Sequence, residues 1–119
     1  MTLAQRQQIF SQNFAYLILE IYTRGDSCSM GEGMRPPEME KIYAERGTGI
    51  IGSLHGKKLA HDIFLFKNGI YTEDIENYRE YGEYWKGLNP DNNWGGDFKG
   101  KTAGDMFHFS MSDGVSKTK

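Results

Sequence analysis

Apolar residues recur at helical spacing from the start of the chain. Ile9, Phe10, Phe14, Leu17, Ile18 and Ile21 share one face of a helix predicted over Leu3 to Arg24. Thr2 stands as its N-cap, and Arg24-Gly25-Asp26 marks its stop. The face reads as core packing. Ser27 to Met34 is short and mixed, and fits a short strand or an extended loop. Arg35-Pro36-Pro37 fixes an extended entry, with Pro37 in the first turn of a helix over Glu38 to Arg46. Met39, Ile42 and Tyr43 are expected to face inwards and Glu40 to lie on the wet side. Gly47-Thr48-Gly49 ends that helix.

The second half alternates more tightly. Ile50 to Gly56 reads as a loop, and Leu59 to Phe66 as a strand apolar enough for burial on both faces. Lys67-Asn68-Gly69 is a hairpin signal, with Ile70-Tyr71 as the return strand. Thr72 is expected to cap a helix with Glu73 and Asp74 in its first turn. The helix continues through Ile75, Tyr78, Tyr81, Tyr84 and Trp85 to about Leu88, its aromatics at core spacing. Asn89 to Asn93 breaks it, and a glycine-rich loop runs from Trp94 to Gly104. Met106 to Met111 is predicted as a second core strand, and Ser112 to Lys119 as a polar, frayed tail. The order predicts an α+β fold, a small antiparallel sheet packed with about three helices, in one domain over residues 1–111.

Composition narrows the function. The chain has 119 residues, 38% hydrophobic, with a formal net charge of −2. It lacks the basic excess that sequence-independent nucleic-acid binding requires. Its single cysteine, Cys28, permits no intrachain disulfide and no structural zinc finger. No apolar run approaches the roughly 20 residues of a membrane span. MTLAQRQQIF lacks the basic-then-apolar pattern of a signal peptide, so synthesis in the cytoplasm is expected.

Two constellations carry chemistry. Gly52 to Phe66 places Ser53, His55, His61 and Asp62 just ahead of a large apolar run. Asp105-Met106-Phe107-His108-Phe109 places an Asp and a His near the end. Polar groups at the edge of a core are costly unless something uses them. His61 and Asp62 are neighbours on a strand and point to opposite faces, so one of them faces the site. His55, Asp62 and His108 make a three-ligand zinc set, with Asp105 as the carboxylate that manages the proton. For Asp105 to join them it must sit in the turn before the last strand, which Gly104 eases. The residues alone also fit a buried, satisfied Asp62 and a core His108. They do not match the helical HExxH motif, a serine-nucleophile elbow, or a phosphate- or dinucleotide-binding loop.

Ser53-x-His55, Ala60-x-Asp62, Trp94-Gly95-Gly96-Asp97-Phe98 and Asp105-x-x-His108 together resemble the VanY-type zinc peptidases. That group includes D-alanyl-D-alanine carboxypeptidases and phage L-alanyl-D-glutamate endopeptidases. Gly33-Met34-Arg35 with Glu38 resembles a further stretch of the group, and the likeness runs from about Phe10 to Phe109. It implies one zinc ion on His55, Asp62 and His108, with Asp105 as general base. It also implies substrate binding by Arg35 and Ser53, while Trp94 and Asp97 are expected as scaffold around the cleft. The implied substrate is the peptide stem of bacterial peptidoglycan. The implied setting is a monomeric phage or prophage endolysin, acting at the wall in the periplasm after a holin-type partner opens the membrane. A D-alanyl-D-alanine carboxypeptidase, and a non-catalytic phage wall-binding module with a vestigial site, are the competing readings. Three positions depart from the pattern: Lys58 where glycine is usual, His61 where an apolar residue is usual, and Pro36 where threonine would cap the next helix.

Overall fold

A 21-residue helix, α1 (Leu3–Thr23), opens the computed structural model, which describes residues 1–47 and 53–115. Its start is a capping box. Thr2 Oγ1 accepts the Gln5 N–H (3.1 Å), and the Gln5 side chain accepts the Thr2 N–H (2.7 Å). At its end Gly25 takes φ +87°, the Asp26 N–H reaches Ile21 O and the Gly25 N–H reaches Tyr22 O. This is a Schellman stop, where glycine's missing Cβ is what the left-handed turn needs. Phe10, Phe14, Leu17 and Ile21 are buried as expected, and Phe10 meets Trp85 edge-on at 5.5 Å.

Among the described residues the chain forms three α-helices and a five-stranded antiparallel sheet, the α+β architecture expected. The strands are β1 (Ser27–Met30), β2 (Ala60–Lys67), β3 (Ile70–Tyr71), β4 (Asn92–Trp94) and β5 (His108–Met111), in the order β1-β2-β5-β4. β3 folds back on β2 through Asn68 (φ 52°) and Gly69 (φ 75°), as Asn-Gly predicts.

β2 differs from its expected burial on both faces. Ile63 and Leu65 are buried towards the helices, and His61 on the same face stacks on Phe14 of α1 at 4.7 Å. Asp62, Phe64 and Phe66 point the other way and are only half-buried. α1 and α3 (Ile75–Leu88) cover the face of His61, Ile63 and Leu65, which leaves the other to hold a site.

α3 buries Tyr78, Tyr81 and Trp85, as its spacing predicts. Its cap is Asp74, not Thr72. Asp74 Oδ1 accepts the Glu76 N–H (3.0 Å), while Thr72 Oγ1 sits a step outside and accepts the Asp74 N–H (3.1 Å). α2 (Pro37–Glu45) begins with Pro37 at its first position and has no side-chain cap at Pro36. Met39, Ile42 and Tyr43 are half-buried, and so is Glu40, which had been expected on the wet side. Glu40 turns inwards because its Oε1 accepts the Ser53 N–H at 2.8 Å. Gly47 follows α2 with φ +72°; Thr48 and Gly49 of the expected stop lie outside the described residues, as do Ile50 to Gly52 of the expected loop.

β4 occupies part of the stretch read as a helix breaker. Trp94 is fully buried there and pairs in register with Phe109. β5 begins two residues later than expected because Asp105 to Phe107 form a turn, with the Met106 N–H on Gly104 O (2.8 Å). The start of the tail is anchored rather than frayed. The Ser112 N–H donates to Asp91 O (2.9 Å), and buried Asp113 pairs with Lys57. No described helix is long and apolar enough to cross a membrane.

Candidate metal centre

β2 and β5 bring two of the expected ligands together by register alone. Asp62 and His108 are cross-strand partners, so their side chains leave the sheet on the same face. His55 arrives from the 3-10 turn Leu54–Lys57. Ser53 caps that turn by accepting the His55 N–H (3.2 Å), and fully buried Leu54 pins it to the core. The Leu59 N–H closes the turn on Leu54 O (2.9 Å).

The three side chains converge. His55 Nε2 lies 3.5 Å from Asp62 Oδ1, and His108 Nδ1 lies 3.8 Å from the same oxygen. One ligand atom from each of the three residues falls within 4.8 Å of the others. Gly33 O sits 2.9 Å from His55 Nδ1, and a carbonyl can only accept. That contact needs a proton on Nδ1, which leaves Nε2 as the ring atom that faces the cluster. Asp62 Oδ1 is buried and has no hydrogen-bond partner. A buried, unpaired carboxylate oxygen is costly by itself.

That orphaned oxygen tests the fit of a cation. Two imidazole nitrogens and one carboxylate oxygen are donors that zinc accepts, and tetrahedral zinc holds such atoms about 3.3 Å apart. The residues fit the ion. His55, Asp62 and His108 could hold one metal ion, which would satisfy Asp62 Oδ1.

Asp105 stands in the turn before β5, as its expected role requires. Its carbonyl accepts the His108 N–H at 3.2 Å. Burial, reinforced by the charge of Asp62 and opposed by His55, pushes its carboxyl up to about 6. Burial pulls His55 down, but the facing Asp62 carboxylate, the Gly33 carbonyl and Glu32 outweigh it, and the net shift is upward.

The tryptophan-glycine stretch holds this turn in place. A Cβ on Gly95 would collide with the Asp105 carbonyl oxygen and lie 2.8 Å from His108 Cβ. Trp94 Nε1 donates to Met106 O (2.9 Å), and Asp97 pairs with Lys86 at 2.7 Å. Fully buried Trp94 thus holds the turn, and Asp97 ties the stretch to α3.

Arg35 and Ser53 are placed less simply. Ser53 Oγ is engaged as a cap. The Arg35 guanidinium is paired with Glu32 and lies over the Tyr43 ring at 5.0 Å. Glu32 was not singled out in the sequence, nor was the inward role of Glu40. Of the departures, Lys58 is exposed and left-handed (φ 58°), the conformation that favours glycine. His61 packs behind the site, where a Cβ on Gly33 would meet its Nε2 at 2.8 Å.

No family model matches the chain, and no curated protein matches it. Among solved structures its fold is similar to the crystal structure of Serratia marcescens L-Ala D-Glu endopeptidase ChiX. The TM-score is 0.63 at 18% identity, covering 82% of this chain and 77% of that chain. At that identity the likeness shows a shared fold.

Proposed function

We propose that this chain is a zinc-dependent peptidase that cuts the peptide stem of bacterial peptidoglycan at the L-Ala–D-Glu bond, in the manner of a phage or prophage endolysin. The observation that carries the reading is the convergence of His55 and His108 on the orphaned buried oxygen of Asp62, with Asp105 alongside. The similarity of the fold to an L-Ala D-Glu endopeptidase supports the substrate class.

Zinc, when bound, would supply Lewis acidity and lower the pKa of a coordinated water towards neutrality. The chain's residues do the rest. His55 is held in one tautomer by the Gly33 carbonyl, and Asp62 and His108 are held by the strand register. Asp105 takes a proton from the attacking water and returns it to the departing amine. A carboxyl raised by burial is a better base for that exchange than an ordinary aspartate. Ser53 shapes the His55 turn, and Arg35 flanks the cluster.

The test is digestion of purified, outer-membrane-stripped cell walls, with fragments weighed by mass spectrometry. The expected products are stems cut between L-Ala and D-Glu, absent after chelation and restored by zinc. Loss of terminal D-Ala instead would reassign the enzyme as a carboxypeptidase. Intact stems with zinc bound would remove the enzyme reading.

A further inference from the structure

A second charged arrangement stands beside the metal cluster, on the stretch Gly31 to Arg35. This strap runs on from β1 and is fastened to two of the prospective ligands through main chain. The Gly31 N–H donates to Asp62 O (2.9 Å), the Asp62 N–H to Glu32 O (2.8 Å), and the Arg35 N–H to His55 O (3.1 Å). Glu32 and Arg35 are therefore fixed relative to the site. Glu32 Oε1 accepts from Arg35 Nε at 2.6 Å and also pairs with Nη2, and it lies 3.7 Å from His55 Nδ1. The Arg35 side chain is only 12% exposed, against 29% for Glu32.

Charge around the site is one-sided. Asp62 and Asp105 interact with each other there, Glu32 faces His55, and Glu40 holds the Ser53 N–H at the head of the His55 turn. Arg35 stands beside this acidic set with its charge already matched by Glu32. A substrate carboxylate reaching Arg35 would enter against Glu32, a like charge on the same guanidinium. A neutral carbonyl or carboxamide meets no such opposition and can use the guanidinium's remaining N–H groups.

We infer that Glu32 is a specificity-determining residue: by occupying Arg35 it makes the site accept a carboxamide beside the scissile bond as readily as a carboxylate. This rests on the peptidase reading proposed above. In a stem peptide the choice is between D-isoglutamine and D-glutamate after L-Ala. The same pairing disfavours the terminal carboxylate that a carboxypeptidase substrate presents.

The experiment uses the zinc-loaded full chain and two matched peptides, N-acetyl-L-Ala-γ-D-Glu-L-Lys and the same peptide with the D-Glu α-carboxyl amidated. Wild type is expected to cleave both with kcat/KM within about threefold, whereas Glu32→Gln prefers the carboxylate by about tenfold, expressed in KM. Wild type preferring the carboxylate by about tenfold, or a ratio unchanged in Glu32→Gln, overturns the inference. Binding of both peptides to the chelated protein, followed by NMR at the Arg35 Nε–H, reads the same ratio without cleavage. Failure to cleave either peptide counts against the peptidase reading, while the binding ratio still decides the role of Glu32. If Glu32→Gln does not melt cooperatively, the wild-type ratio alone decides.

Discussion

Asp62 on β2 and His108 on β5 are direct cross-strand partners on the sheet face opposite α1 and α3. Their meeting follows from strand register, so a one-residue slip would put the two side chains on opposite faces of the sheet and break the cluster with His55. The glycine at position 95 protects that geometry from the other side. Gly95→Ala would drive a Cβ into the Asp105 carbonyl. We expect a loss of roughly 3 kcal/mol or more, read by urea denaturation, with zinc affinity falling as well. Gly87, which has nothing within 4 Å of its would-be Cβ, serves as the comparison and should accept alanine without loss.

Asp105 makes stability and activity pull in opposite directions. Its folded value of about 6 lies above the ordinary carboxylate value of 3.8. A raised carboxyl stabilises the fold below its unfolded pKa, and that contribution is lost as pH rises through about 6. Metal-free wild type should therefore lose stability across that window relative to Asp105→Asn. The half-solvated carboxyl makes the difference about 1 kcal/mol at pH 7. Wall lysis by the zinc-loaded variant should fall by about 100-fold or more. Thermal melts from pH 4 to pH 8 with chelator check the first statement, and a turbidity assay the second.

Lys58 holds a left-handed conformation at an exposed position that makes no demand on its side chain. Lys58→Gly removes the Cβ conflict at the cost of a more flexible unfolded chain. The expected gain is about 1 kcal/mol, with wall lysis unchanged. A lower melting temperature would show that Lys58 makes a contact worth more than the strain.

The Lys57–Asp113 pair ties the end of the described chain to the turn that carries His55. Gln7 Nε2 donates to Lys57 O (2.8 Å), so α1 braces the same turn. Asp113→Ala would leave Lys57 without its carboxylate and lose on the order of 1–3 kcal/mol. Zinc titration of the variant should show weaker binding, because His55 shares the loosened turn.

Much of this was legible in the chain. α1 declared itself by its spacing, its capping threonine and its terminal glycine, all local signals. Asn68-Gly69 named the hairpin in the same way. The prospective ligands His55, Asp62 and His108 stood out as polar groups set against apolar runs. Glu32 did not, because its partners are Arg35 and a histidine brought in from a distant turn, and its own stretch has no periodicity. Glu40 looked wet on helical spacing, and only the arrival of the Ser53 N–H turns it inwards. β4 was hidden because Asn92 and Asn93 read as breakers, whereas Asn92 Nδ2 hydrogen-bonds Trp85 O at 2.9 Å and so ties the strand to α3.

The most direct measurement of the central claim is calorimetric titration of zinc into the chelated protein. One ion per chain is expected, with binding lost in Asp62→Asn and His108→Ala. Metal-free Asp62→Asn should be at least as stable as metal-free wild type, since the orphaned buried oxygen is relieved of its charge. Wild type that takes up no zinc, or Asp62→Asn that binds it as tightly as wild type, would contradict the metal centre.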